Sequence, residues 1–196
     1  MNPADDLAAA LDPVCRFFEL LGIRYYVGGS VASSYHGAMR STMDVDLVAE
    51  LQLTHVGPLL AMLGSEYYAS ETAIRSAIMQ QSSFNLIHFS TSFKVDVFVS
   101  KGSNFDLSAL HRAQVVQVGT PGNEIEVVLA SVEDIMIAKL LWYRAGNEVS
   151  ERQWDDLTRL VKLRRSSLEI QYVQAWAEKM NVADLWKKLL KTLQQG

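Results

Sequence analysis

The chain contains a single cysteine, Cys15. One thiol cannot close an internal disulfide, so the fold must be held by packing, and the composition suits a reducing, cytoplasmic compartment. Cys15 lies in an apolar pattern with Phe17, Phe18 and Leu21, which places it as a core thiol rather than a nucleophile. Nowhere does the sequence run to about eighteen consecutive apolar residues, so no membrane-spanning helix is expected. The N-terminal Met1-Asn2-Pro3-Ala4-Asp5-Asp6 has no basic stretch ahead of an apolar one, and no secretory signal is expected. Its four histidines, His36, His55, His88 and His111, lack the close spacing of a histidine metal site. A net charge of −4 gives no whole-protein attraction to nucleic acid. There is no internal repeat and no low-complexity linker.

What remains is 196 residues, 49% of them apolar, enough for one domain or for one domain with a small helical appendage. Charge divides unevenly. Residues 1–130 hold seven Lys and Arg against thirteen Asp and Glu, a net of −6, whereas residues 131–196 hold eleven against nine, a net of +2. The periodicity divides at the same place. Residues 4–21 read as a helix with Leu7, Leu11, Val14, Phe18 and Leu21 on one face, ended by Gly22. Strands are expected at 23–27 and 44–49, with a short helix from Ser30 to Tyr35 between them. Residues 53–63 and 71–79 read as helices, with Pro58 tolerable only near a first turn. Two hairpins are expected, 83–90 with 93–99 and 114–118 with 124–129. From Ser131 the period is helical throughout, giving helices near 131–145, 150–165, 169–180 and 182–193. Ser131 with Asp134 and Ser150 with Gln153 read as helix caps, the second as a capping box. The tryptophans of this half, Trp142, Trp154, Trp176 and Trp186, read as packing groups.

The chemistry-bearing residues gather around this first half. Gly28-Gly29-Ser30 follows the first apolar strand and opens a helix. Asp44 and Asp46 stand two apart in the second strand, so both point to one face. Aspartate is depleted in strands, and two in Asp44-Val45-Asp46 call for a reason beyond the fold. Asp96 sits in a third apolar strand, with Lys94 on its face; a plain ion pair between them is the competing reading. Three carboxylates beside a glycine turn suit Mg²⁺ carrying a nucleoside triphosphate. Mg²⁺ takes hard oxygen ligands and shares them with phosphates, and glycine lets backbone amides approach those phosphates closely. Arg40 and Thr42 flank the second strand as solvated side chains or as phosphate contacts.

This pattern resembles the nucleotidyltransferases of the DNA-polymerase-β-like superfamily, whose signature is a Gly-Ser turn, an Asp-x-Asp pair and a third Asp on a later strand. The Gly28-Gly29-Ser30 variant resembles the minimal, AbiEii-type toxin enzymes of that group. The later run Ser131 to Leu140, with Trp142-Tyr143-Arg144 and then Glu151 to Leu157, looks like their helical half. There, however, the basic–acidic motif departs from the pattern: Arg152 and Asp155 are not adjacent. The resemblance implies a mixed α/β (α+β) nucleotidyltransferase core over 1–130 and a C-terminal helical bundle over 131–196. It implies catalytic, metal-holding Asp44, Asp46 and Asp96 with two Mg²⁺ ions. It implies nucleotide binding by Gly28, Gly29, Ser30, Arg40, Thr42, Lys139 and Arg144. The activity implied is transfer of a nucleoside monophosphate from an NTP to a hydroxyl of a tRNA end, a protein or a small molecule. An antitoxin partner would accompany a toxin role. A non-catalytic nucleotide- or partner-binding module on the same fold is the alternative.

Overall fold

The computed structural model describes residues 3–38 and 42–192. Contacts divide the chain into a sheet unit, Met1–Val31 with Ser41–Ala130, and a helical unit, Ala32–Arg40 with Ser131–Gly196.

The sheet unit opens with α1, Pro3–Leu20. Its apolar face carries Leu11, Val14 and Phe18, each fully buried. Gly22 ends it at φ +63°, a left-handed conformation that costs glycine little, while Ile23 N donates to Phe18 O at 2.8 Å. Cys15 is buried on this helix, and burial pushes its thiol pKa up to about 12. Next come β1 (Tyr25–Val27), α2 (Gly29–Tyr35), whose residues from Ala32 onward belong to the helical unit, and β2 (Asp44–Ala49). A single 3₁₀ turn at Leu53–His55 precedes α3, Val56–Leu63, so the helix expected over 53–63 is broken at its start. Pro58 sits in the first turn of α3, where its missing N–H is tolerated.

Two elements had not been expected from the sequence: β3 at Tyr67–Ala69 and α5 at Asn104–Arg112. A capping box starts α5, with Ser103 Oγ accepting from Asp106 N and Asp106 Oδ2 accepting from Ser103 N. Between these two lie α4 (Glu71–Gln80) and the hairpin strands β4 (Ser83–His88) and β5 (Lys94–Val99). The second hairpin is β6 (Gln114–Thr120) with β7 (Asn123–Leu129).

Among the described residues these strands form one mixed sheet of seven, in the order β3-β4-β5-β2-β1-β7-β6. Two neighbouring pairs, β2 with β5 and β1 with β7, are parallel. Strict alternation sorts the central strands. Val45, Leu47 and Ala49 of β2 and Val95, Val97 and Val99 of β5 are buried, while Asp44, Asp46, Lys94 and Asp96 face the other way. One face of the two central strands is therefore core and the other carries the charge.

The helical unit contains α6 (Val132–Ala145), α7 (Glu151–Arg164), α8 (Ile170–Lys179) and α9 (Ala183–Thr192). Both serine caps form: Ser131 Oγ accepts from Asp134 N and Ser150 Oγ from Gln153 N. Gln153 does not complete the box, and its Oε1 is buried with no hydrogen-bond partner. Leu140, Leu157, Leu160, Val173, Leu185, Trp186 and Leu189 make the core. Of the tryptophans, Trp186 is fully buried, whereas Trp142 is 56% exposed.

Polar groups also enter this interior. Asp134 accepts from the Tyr172 hydroxyl at 2.6 Å and from Ser131 Oγ at 2.6 Å, and Glu133 Oε1 accepts from Glu169 N at 3.1 Å. Lys139 and Asp156 are both buried, and Lys139 Nζ donates to Asp156 Oδ2 at 2.8 Å. Removing Asp156 takes the anion from beside the buried Lys139 ammonium, and removing Lys139 takes from the buried Asp156 carboxylate a cation at 2.8 Å. Asp156→Asn or Lys139→Met alone is expected to cost about 3–5 kcal/mol in urea denaturation followed by tryptophan fluorescence. The double variant Lys139→Met/Asp156→Leu is expected to recover most of that loss. Single variants within about 0.5 kcal/mol of wild type, the range of ordinary surface changes, would refute a buried pair.

Candidate active site

The acidic face is assembled by strand register. Asp46 and Asp96 are direct partners across the parallel β2–β5 pair, and Asn85 of β4 is the partner of Asp96 on its far side. Gly28 N donates to Asp46 O at 2.8 Å where β1 ends. One row thus crosses the sheet as Asn85, Asp96, Asp46 and Gly28, at the usual interstrand spacing of about 4.8 Å. Alongside it runs a second row, Ile87, Lys94 and Asp44.

The second glycine of the turn is demanded by both backbone and space. Gly29 has φ +54°, and a Cβ built there would fall 1.6 Å from Asp46 Oδ2. The Asp46 carboxylate therefore lies directly over the Gly29 backbone, and a side chain would have to evict it. Gly28 has no such constraint: its nearest neighbour to an added Cβ is a Tyr26 ring carbon at 3.6 Å, an ordinary contact. Ser30, next in line, is buried in the first turn of α2.

Charge on this face is not left to carboxylates alone. Lys94 Nζ lies 2.8 Å from Asp96 Oδ2 and 3.5 Å from Asp44 Oδ1. The hydrogen bond to Asp96, with Asp44 adding to it, holds the Lys94 ammonium above its ordinary pKa. Thr42 organises the entry to β2: its hydroxyl donates to Asp44 O at 3.0 Å and accepts from Asp44 N at 3.2 Å.

The residues singled out in the sequence are therefore distributed as follows. Asp44, Asp46 and Asp96 share one face beside Gly28, Gly29 and Ser30 in the sheet unit. Thr42 spends its hydroxyl on Asp44. Arg40 lies outside the described residues. Lys139 is inside the helical unit, held by Asp156, and Arg144 is on its surface, where Nη2 contacts both carboxylate oxygens of Asp184 at 2.6 Å. The acidic partner on α7 is Asp156, not the exposed Asp155 three residues from Arg152. The Asn85 side of the row is not marked in the sequence. Alternation within Ser83–His88 assigns Asn85 to a face, but only the hairpin register sets it opposite Asp96.

As a donor set, three carboxylates suit a hard divalent cation in kind. The Lys94 ammonium acts as a stand-in for such a charge, and its contacts establish that Asp96 and Asp44 can reach one positive centre. Among the described residues no three His, Cys, Asp or Glu side chains are gathered tightly enough to hold a metal ion as they stand. The face fits a cation through its oxygen chemistry and its placement, with Lys94 holding part of the position.

The two glycines should respond unequally to substitution. Gly29→Ala should lose at least about 1–2 kcal/mol, the cost of a left-handed backbone in an L-residue, and should displace Asp46 as well. Gly28→Ala should lose clearly less, because an added Cβ there meets only ordinary van der Waals contacts. Thermal and urea unfolding of the two variants measure this; equal losses would contradict the close approach of Asp46 to Gly29.

No protein-family model and no curated protein matches the chain. Solved structures do. The chain is similar to the antibiotic-resistance factor ANT(2'')-Ia, with a TM-score of 0.54 and 12% identity over 96% of this chain and 95% of that one. It is also similar to an antigenic nucleotidyltransferase-like protein from Paracoccidioides brasiliensis, with a TM-score of 0.53 and 17% identity over 94% of this chain and 92% of that one. At these identities the likeness is one of fold. The mixed seven-stranded sheet with its helices is a nucleotidyltransferase fold, as the glycine turn and the spaced aspartates had implied.

Proposed function

We propose that the chain is a Mg²⁺-dependent nucleotidyltransferase that moves a nucleoside monophosphate from an NTP to an acceptor hydroxyl. The observation that carries this reading is the pairing of Asp46 with Asp96 across adjacent parallel strands, with Asp44 on the same face and Gly29 beneath Asp46. In the reaction the acceptor oxygen bonds to the α-phosphorus, the bond from that phosphorus to the bridging oxygen breaks, and pyrophosphate leaves. Two bound Mg²⁺ ions would supply Lewis-acid stabilisation of the attacking and leaving oxygens. Asp44 and Asp46 are assigned to hold metal, and Asp96 to hold metal while orienting the acceptor hydroxyl and accepting its proton. Gly28, Gly29 and Ser30 are assigned to the triphosphate, because bare backbone amides and a hydroxyl at a helix start favour phosphate oxygens.

The reading leaves less to the helical unit. Lys139 is engaged by Asp156 and Arg144 by Asp184, so each would offer phosphate only the donors that these pairs leave over. Arg40 belongs to the reading through the sequence alone. Acceptor classes to be tested are a tRNA end, a protein hydroxyl and a small molecule. The last is kept in view by a structural neighbour named as an antibiotic-resistance factor. Growth arrest on expression, relieved by a co-expressed antitoxin, would mark a toxin role.

The deciding experiment is incubation with α-labelled NTPs, Mg²⁺ and separate pools of RNA, protein and small molecules, with pyrophosphate release measured in parallel. Label in one pool, dependent on Mg²⁺, is the expected result. Asp46→Asn is expected to lower transfer by about 10²–10³-fold or more, the scale of a lost electrostatic group in a transition state. Its thermal midpoint should hold or rise, since one of several crowded carboxylates is neutralised. Wild-type turnover in Asp46→Asn, or nucleotide binding with no transfer to any pool, would replace this reading with that of a non-catalytic binding module.

A further inference from the structure

The metal reading leaves one group on the acidic face unaccounted for. Lys94 stands between two of the carboxylates assigned to the metal, and three independent features hold it there. Parallel register makes it the direct partner of Asp44. Period-two alternation along β5 puts it on the face of Asp96. Its ammonium is in contact with both, at 2.8 Å from Asp96 Oδ2 and 3.5 Å from Asp44 Oδ1. The backbone beneath it is pinned, with Lys94 N donating to Met43 O at 3.0 Å, so the side chain must move for the ammonium to leave. Such movement is open to it: the side chain is 37% exposed, and its flexible stem carries the charge toward solvent without disturbing the core.

We propose that Lys94 is a resident counter-cation that competes with the divalent metal for Asp96 and Asp44. On this account, which rests on the reading of this face as a metal site, metal entry and release of the ammonium are one exchange. Lys94 offsets part of the carboxylates' charge when no metal is bound, which eases their repulsion across the sheet, and it lowers the affinity for free metal. An NTP-bound metal brings additional phosphate ligands and overcomes the competition more easily than the free ion. The released ammonium, with three donors and no acceptor, is then available to phosphate. Lys94 therefore biases the site toward the metal–nucleotide complex over the bare ion.

Binding measurements test this without reference to turnover. Mn²⁺ is titrated into wild type and Lys94→Met, with electron paramagnetic resonance reading free Mn²⁺, and Mg²⁺ is titrated by calorimetry. Lys94→Met is expected to bind the free ion about five- to tenfold more tightly, the scale on which a partly exposed ion pair competes. Lys94→Arg, which keeps the charge, is expected to resemble wild type, and Asp46→Asn to lose the ion. A second readout needs no variant. The Lys94 amine of the wild-type protein should be acylated faster when Mg²⁺ is present, as resolved by peptide mass spectrometry. Equal or weaker metal binding in Lys94→Met, or labelling of Lys94 unchanged by a metal that does bind, overturns the counter-cation and leaves the metal site standing. Failure of wild type and Lys94→Met alike to bind either ion overturns both.

Discussion

Carboxylates on neighbouring central strands repel one another, and the organisation of the sheet unit follows from making that repulsion tolerable. Asp46 and Asp96 are partners across β2 and β5, at the distance of adjacent strands. The opposite faces of those strands are among the most deeply buried surfaces of the unit, with Val45, Leu47, Val95 and Val97 all at zero exposure. Burial on one side fixes the register, because a slip of one residue would turn every aspartate into the core. The same burial that stabilises the pair thus dictates that the charges face one another on the other side. Lys94 then supplies the positive charge that two rows of acids require, from within the register itself.

The glycine turn belongs to the same constraint. Asp46 is held from below as well as from the side: its backbone carbonyl accepts from Gly28, and its carboxylate occupies the space that a side chain at residue 29 would take. Turn and strand are therefore two halves of one fitting. A left-handed residue without a side chain is needed where it is because a carboxylate is needed next to it.

Much of this was legible in the sequence, and the parts that were not share a cause. Apolar periodicity located α1, β2, both hairpins and the four helices after Ser131, each within a few residues of its observed bounds. Period two placed Asp44 and Asp46 on one face. The strand at Tyr67–Ala69 is three residues long, too short for alternation to declare itself. The helix at Asn104–Arg112 carries a readable start in Ser103 and Asp106, but its sequence lacks a strong apolar stripe. What no local pattern encodes is pairing at a distance: that β5 lies beside β2 in parallel, that Asn85 faces Asp96, or that Lys139 meets Asp156 across seventeen residues. In the last case a weaker signal existed. Lys139 shares the stripe of Ile135 and Tyr143, and Asp156 that of Leu160, so both fall on buried helical faces while Asp155 does not.

The parallel pairing of β2 with β5 has a temporal consequence. Its two aspartates stand at positions 46 and 96, about fifty residues apart, and the intervening chain contains β3, α4 and β4. Contacts across such spans form after local ones, because loop-closure entropy is spent before they return any stability. The hairpins β4–β5 and β6–β7 are local, and β2 must find its place against one of them. The acidic face therefore waits on a non-local pairing: a nascent chain that has emerged only as far as β4 carries Asp44 and Asp46 but lacks β5, the strand that sets Asp96 beside them.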